Sequence, residues 1–139
     1  MSEFPVLMHT VLDATDARAL AEFYRVFLGL RYRPGDEPRA GGPSANEDWL
    51  VLVDGDGNRR LAFQQVPTLI RPTWPSHEVP KQMHLDLRVP TVDELDRQRR
   101  RAERLGASLL HDRTDDVAEP LYVLADPAGH PFCILVGQE

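Results

Sequence analysis

MHTVL at residues 8–12 and MHLDL at residues 83–87 are two similar stretches of this chain, and each begins with Met-His. The two histidines, His9 and His84, lie 75 residues apart (84 − 9). After each stretch the apolar residues recur at intervals of three and four, which is the spacing of an amphipathic helix, and a glycine follows the pattern. The chain therefore contains an internal repeat, and we expect two copies of one structural module.

The residues that follow each stretch predict the order strand, helix, strand, strand, strand. In the first copy Asp13 or Thr15 is expected to cap the helix, which Gly29 ends in the left-handed conformation. In the second copy residues 91–94 have the pattern of a capping box, and Gly106 stops the helix. The strands predicted after the helices cover residues 30–33, 48–53 and 60–66 in the first copy, and 108–112, 121–125 and 131–136 in the second. The predicted fold class is therefore α+β, with tandem βαβββ modules.

The length predicts how these modules are organised. We expect one domain over residues 1–139, because this length suits a single packed domain. Within it the first module covers residues 6–66, a crossover linker with several prolines covers residues 67–81, and the second module covers residues 82–136. Residues 34–46 contain several prolines and glycines, and we interpret them as a loop that closes over a site.

The composition is that of an ordinary globular protein and disfavours several functions. Hydrophobic residues make up 42% of the chain and charged residues 27%, so a packed core is expected. The 16 basic and 22 acidic side chains give a formal net charge of −6, which argues against nucleic acid or an anionic membrane surface as the main partner. We find no membrane span and no signal peptide, and the single cysteine, Cys133, allows no internal disulfide. We therefore expect a cytoplasmic protein.

The repeat, together with a turn motif near its end, resembles a known superfamily. Each half opens with a histidine that we place on a strand, and Asp-Pro-Ala-Gly at residues 126–129 precedes the last strand. A tandem βαβββ arrangement with these features resembles the vicinal oxygen chelate superfamily, which includes glyoxalase I, bleomycin-type resistance proteins and extradiol dioxygenases. The stretches at residues 61–67 and 124–135 are most similar to the small glyoxalase-like domain branch. The resemblance implies two curved sheets that form a cup facing a small ligand, and it implies a homodimer.

The resemblance also implies where a divalent metal would bind. Enzymes of the superfamily hold the metal with side chains from the first and last strands of each half, and the first-strand positions match His9 and His84. The final position, which is usually Glu in the metalloenzymes, is Cys133 here, and alignment of the two turns makes Leu61 its counterpart in the first half. Gln65 could add an amide oxygen. Two imidazoles without a carboxylate make a weak site, so we expect no metal in preference to one Zn, Ni, Mn or Fe ion held by His9 and His84.

Strand alternation indicates which side chains of the second module face a ligand. His84, Asp86 and Arg88 share one face of the predicted fifth strand, where they could bind a metal or a carboxylate substrate, or form a solvated surface. Trp49 and Phe63 are aromatic candidates for the wall of the cup. The full set of predicted ligand-contacting residues is His9, Trp49, Phe63, Gln65, His84, Asp86, Arg88 and Cys133.

The leading hypothesis for function is a glyoxalase-like protein of unassigned substrate that holds a small organic molecule in the cup between its modules, as the drug-binding resistance proteins do. The alternative is a divalent-metal-dependent lyase, isomerase or dioxygenase that uses His9 and His84. A third possibility is a structural or interaction module. The last-strand positions carry no carboxylate, and this favours the binding protein over the metalloenzyme.

Overall fold

The computed structural model describes residues 3–38 and 47–137, and the chain divides into two compact units, Met1–Leu69 and Ile70–Glu139. Within the described residues each unit contains one helix and one four-stranded mixed sheet. The elements of the first unit are β1 (Thr10–Ala14), α1 (Ala17–Leu28), β2 (Arg31–Tyr32), β3 (Trp49–Val53) and β4 (Arg59–Gln65). Those of the second unit are β5 (Leu85–Val89), α2 (Val92–Arg104), β6 (Ser108–Asp112), β7 (Leu121–Ala125) and β8 (Pro131–Val136). This order confirms the α+β class and the two βαβββ modules.

The sheet of the first unit has the strand order β1-β4-β3-β2, with β1 parallel to β4 and the other pairs antiparallel. Tyr24 of α1 stacks on Phe63 of β4, with ring centroids 5.9 Å apart. Leu12 and Leu50 are the register partners of Phe63 on the neighbouring strands, and all four side chains are buried. The helix therefore covers the side of the sheet that carries these residues. We call this the helix side of a sheet, and the side that faces away from the helix of the same unit is called the open side, although some residues on it are buried.

The sheet of the second unit repeats this arrangement with the order β5-β8-β7-β6, in which β5 is parallel to β8. The hydroxyl of Tyr122 on β7 donates to the carboxylate of Asp96 on α2 at 3.2 Å, so Tyr122 lies on the helix side. Ile134 of β8 is its register partner and is buried on the same side. Because side chains alternate along a strand, Cys133 lies on the open side.

The start of α1 differs from the prediction. Asp16 caps the helix, and its Oδ1 accepts a hydrogen bond from the backbone N–H of Ala19 at 3.0 Å. The predicted caps, Asp13 and Thr15, are wrong, because Asp13 still lies within β1, which continues to Ala14, and Thr15 precedes the capping residue by one position. A short polar residue at the cap is still required, since it satisfies a backbone N–H that has no partner within the helix.

The other helix ends follow the predictions. Gly29 ends α1 with a φ of 67°, in the left-handed region. Oγ1 of Thr91 accepts from the N–H of Glu94 at 3.1 Å and so caps α2. The predicted bounds of β6, β7 and β8 are those observed. Neither helix of the described residues is long and apolar enough to cross a membrane.

A β-bulge distinguishes the last strand of the first unit from that of the second. Val53 pairs with Arg59, but Leu52 pairs with Leu61, so Arg60 is an extra residue in β4. In the second unit the register of β7 with β8 continues without such a shift. Because side chains alternate along a strand, one extra residue moves every later side chain to the other side of the sheet.

The bulge corrects the predicted counterpart of Cys133. In the repeat Val11 corresponds to Asp86; Val11 pairs with Ala62, and Asp86 pairs with Cys133. The counterpart of Cys133 is therefore Ala62. The prediction of Leu61 is wrong because it aligned the two turns and counted forward along β4, which ignores the extra residue.

The predicted loop at residues 34–46 is described only in part. Residues 39–46, and with them the predicted closure over a site, lie outside the described residues. In the part that is described, Oδ2 of Asp36 accepts from the backbone N–H of Val51 at 2.9 Å and pairs with Arg33 at 3.1 Å. This start of the loop is therefore attached to β3.

Candidate ligand and metal site

Three side chains that can bind metals or exchange protons meet in the second unit. His84 precedes β5 by one residue rather than lying on it, and Asp86 lies on β5, paired with Cys133 of β8. Nε2 of His84 is 3.2 Å from Oδ1 of Asp86, and one ligand atom from each of the three residues lies within 4.8 Å of the others. The strand period of two and the parallel register together explain the cluster. The structure thus brings together three of the predicted site residues.

The surroundings of Cys133 keep its thiol protonated. Burial raises the pKa of Cys133 to about 11, and the charge and hydrogen bond of Asp86 raise it too, while the charges of Lys81 and Arg113 act in the opposite direction. At pH 7 the free thiol is therefore neutral and a poor nucleophile. A bound cation would stabilise its thiolate form.

Four side chains that sequence reasoning did not assign to the site lie around this cluster. His111 of β6 and Cys133 of β8 both pair with the same residue of β7, which lies between them in the sheet. The ring of Trp74 meets His111 edge-on at 6.4 Å, and Nζ of Lys81 lies 4.7 Å from the centre of the Trp74 ring. Lys81 and Arg113 carry the positive charges that act on Cys133. A register shift in β6 after Leu109 brings His111 to this position, so regular pairing of the predicted strands would not have indicated it. Trp74 and Lys81 lie in an irregular segment without a periodic signal.

Arg88 follows Asp86 on the open side of β5. Both residues are exposed and alternate with the half-buried Leu87, which confirms the predicted alternation of this strand. The side chain of Arg88 lies beside Gly137, where an added Cβ would be 2.7 Å from the Cβ of Arg88. A glycine at this position therefore leaves the space that Arg88 occupies.

In the first unit, His9 and Trp49 are neighbours. Their ring centroids are 6.0 Å apart, and Trp49 is 37% exposed. Burial, followed by the charges of Arg59 and Arg33, holds the pKa of His9 below its usual value, so the imidazole is neutral at pH 7. Nδ1 of His9 is buried and has no hydrogen-bond partner among the described residues. His9 belongs to one unit and His84 to the other, so the predicted metal pair stays a prediction.

Phe63 and Gln65 lie on the helix side of the first sheet because of the bulge. Phe63 is fully buried against Tyr24. Oε1 of Gln65 accepts from the backbone N–H of Ala17 at 2.9 Å, and its amide nitrogen donates to the backbone oxygen of Thr15. Both ends of the Gln65 amide therefore hold the start of α1, and neither residue is included in the candidate site.

Replacing Gln65 with alanine is expected to lower the free energy of unfolding by about 1–2 kcal/mol, because two hydrogen bonds at the start of α1 are lost. Urea denaturation measures this change. Gln65→Glu is the matched control, because it keeps the acceptor for Ala17 and loses the donor to Thr15. Its free energy of unfolding should fall between those of the wild type and Gln65→Ala. Unchanged stability in Gln65→Ala would contradict this structural role and return Gln65 to the ligand-contacting residues.

The donor atoms of the cluster can be compared with what a metal requires. His84, Asp86 and Cys133 supply nitrogen, oxygen and sulfur, and catalytic zinc sites have three protein ligands and one open position. The sulfur favours zinc over Mg or Mn, which prefer oxygen ligands. The three residues therefore fit a zinc-type ion. Of the pair that the resemblance implies, His84 belongs to this set and His9 does not.

The fold defines a class of protein with two βαβββ modules, and the cluster adds candidate metal ligands on the open side of one sheet. The sequence matches the family model described as Glyoxalase-like domain over residues 9–135. The chain therefore belongs to the glyoxalase-like domain family, which is the branch that its sequence motifs resemble.

Solved structures share this fold at low sequence identity. A glyoxalase/dioxygenase from Nostoc punctiforme is 24% identical, with a TM-score of 0.63, over 99% of this chain and 100% of that one. A possible glyoxalase from Bacillus cereus is 18% identical, with a TM-score of 0.62, over 94% and 97%. A mutant of the fosfomycin resistance protein FosX from Listeria monocytogenes, complexed with Mn(II) and 1S,2S-dihydroxypropylphosphonic acid, is 16% identical, with a TM-score of 0.67, over 97% and 94%. No curated protein matches the sequence significantly.

Proposed function

We propose that this chain binds a small organic anion on the open side of the sheet in the second unit. The observation that carries the proposal is the positive charge around the cluster. Lys81 and Arg113 are close enough to Cys133 to act on its pKa, and Arg88 lies on the same side of β5 as Asp86. A carboxylate or phosphonate would accept charge-assisted hydrogen bonds from such side chains, and these are stronger than neutral ones.

The neighbouring groups support a ligand with both an anionic and an apolar part. The ring of Trp74 carries Lys81 on its face, so the ammonium group and an aromatic surface lie side by side. Arg113 pairs with Asp116 at 3.6 Å, which holds its guanidinium near the strand end. Ligand sites commonly combine such apolar surface with a few placed polar groups. The phosphonic acid bound by the L. monocytogenes relative supports the same class of ligand.

Titration calorimetry with benzoate and phenylphosphonate is expected to show saturable binding that weakens as salt is added, because salt screens exposed charges. Benzamide, the neutral isostere of benzoate, should show no measurable binding. Lys81→Gln should weaken benzoate binding by about tenfold or more, which is the value of a charge-assisted hydrogen bond.

Arg97→Gln is the matched control for this experiment. Arg97 is an exposed cation on α2 that pairs with Glu94, and its loss should leave the affinity for benzoate unchanged. Equal affinities for benzoate and benzamide, or equal losses in the two variants, would contradict the proposed anion site.

A metal-dependent lyase, isomerase or dioxygenase is the second candidate function, and the cluster of His84, Asp86 and Cys133 favours it. A divalent metal, when bound, would polarise a substrate oxygen as a Lewis acid. Around it, Lys81 and Arg113 would attract and orient an anionic substrate.

The ligand position between the two modules, the homodimer and the cytoplasmic location also stay predictions.

A further inference from the structure

We infer that His84, Asp86 and Cys133 form a zinc-type metal site contained entirely within the second unit. The inference goes beyond the proposed anion binding and does not depend on it. The ligand set also differs from the one implied by the resemblance, which takes side chains from the first and last strands of both halves. Here Asp86 of β5 is an additional ligand beside His84 and Cys133, and His9 has no part in the site.

Backbone pairing holds the three donor groups in place. Asp86 and Cys133 are register partners in the parallel ladder of β5 and β8. His84 is two residues before Asp86, so the strand period brings its imidazole to the same side of the sheet. The resulting ligand atoms already lie within 4.8 Å of one another. A metal would therefore need only small side-chain rotations, and preorganised ligands of this kind reduce the ordering cost of binding.

The ligand atoms of the three side chains determine which metal ion the site favours. Thiolate and imidazole ligands favour zinc, and a hard ion such as Mn or Mg would find one carboxylate where it prefers several oxygens. A thiolate from Cys133 and the carboxylate of Asp86 together balance the charge of a divalent ion. Once that balance is reached, the nearby positive charges of Lys81 and Arg113 would favour an anion or hydroxide at the open fourth position.

Cobalt(II) is the spectroscopic probe that tests this site, since it takes zinc-type geometry and absorbs visibly when tetrahedral. The full chain, freed of metal by a chelator and carrying no His tag, is titrated with CoCl₂. We expect one ion per chain and a thiolate-to-cobalt charge-transfer band in the near ultraviolet, both displaced by added ZnCl₂. Cys133→Ser should remove the charge-transfer band, and Asp86→Asn should weaken zinc binding by about 10- to 100-fold.

Two controls separate this site from other histidine sites. His9→Ala should leave both the cobalt spectrum and the zinc affinity unchanged, and so should His77→Ala in the exposed loop segment. Because Cys133 is half-buried, circular dichroism of each variant checks its fold, and the exposed Asp86→Asn tests the site without disturbing the core. A missing charge-transfer band in the folded wild type, or loss of binding in His9→Ala, would overturn the inference. Benzoate binding in the absence of metal remains a separate readout, so failure of one proposal is distinguishable from failure of the other.

Discussion

Replacing Phe63 with alanine should lower the free energy of unfolding by about 3–5 kcal/mol, the usual cost of removing a phenyl ring from a packed core. Phe63 is fully buried, its ring stacks on Tyr24, and its register partners Leu12 and Leu50 are buried beside it. Neighbours on both adjacent strands and on α1 surround the ring, so the cavity cannot close by a simple rotation. Guanidinium denaturation followed by fluorescence and circular dichroism measures the loss.

Trp49→Ala is the matched control for Phe63→Ala. Trp49 is an aromatic residue of the same sheet, but it is 37% exposed and lies on the open side. Its removal should cost clearly less stability than the removal of Phe63. If Phe63→Ala kept wild-type stability while losing affinity for benzoate, Phe63 would be a ligand contact, and the register of β4 described here would be contradicted.

Replacing Asp126 with alanine should lower the free energy of unfolding by about 3 kcal/mol, because a buried carboxylate that accepts two hydrogen bonds from half-buried backbone N–H groups is lost. Asp126 is 1% exposed, and its Oδ1 accepts from the N–H groups of Ala128 and His130, each at 3.0 Å. These bonds close the turn between β7 and β8, which positions Cys133 on β8. Asp126→Asn retains an acceptor oxygen in the same place and should lose less. Urea denaturation of the three proteins measures the difference.

The first unit provides the equivalent turn as a second control. Oδ1 of Asp54 accepts from the N–H groups of Asp56 and Asn58, each at 3.0 Å, but the side chain is partly exposed and pairs loosely with Arg60. Water can replace the missing acceptor there, so Asp54→Ala should destabilise the protein less than Asp126→Ala. Equal losses in the two turns would show that burial of Asp126 contributes nothing to its effect.

The sequence predicted the second unit more accurately than the first, and a single residue accounts for much of the difference. In the second unit the bounds of β6, β7 and β8 and the alternation of β5 are as predicted. In the first unit Arg60 is inserted as a bulge, and the predicted counterpart of Cys133 moves from Leu61 to Ala62. The nearest glycines, Gly55 and Gly57, lie in the turn before β4, so no glycine marks the bulge at Arg60 itself.

In the candidate site, too, some residues could be predicted from the sequence and others could not. His84 and Asp86 could be placed on one side of a strand because a spacing of two is a property of the sequence. Cys133 was predicted from the family resemblance, as the match to a last-strand ligand position. Lys81 and Trp74 could not be predicted, because they reach the cluster from an irregular segment whose path has no periodic pattern.

The sequence by itself therefore determined the α+β class, the βαβββ repeat, most helix ends and the side of β5 that carries the polar residues. These depend on contacts between residues that are close along the chain, such as the cap at Thr91 and the left-handed Gly29. The tertiary structure alone decided the register of β4, the burial of Phe63 and the cations around Cys133. Such features depend on which backbone groups of distant strands pair with each other, and one inserted residue at that pairing reverses the side on which every later side chain lies.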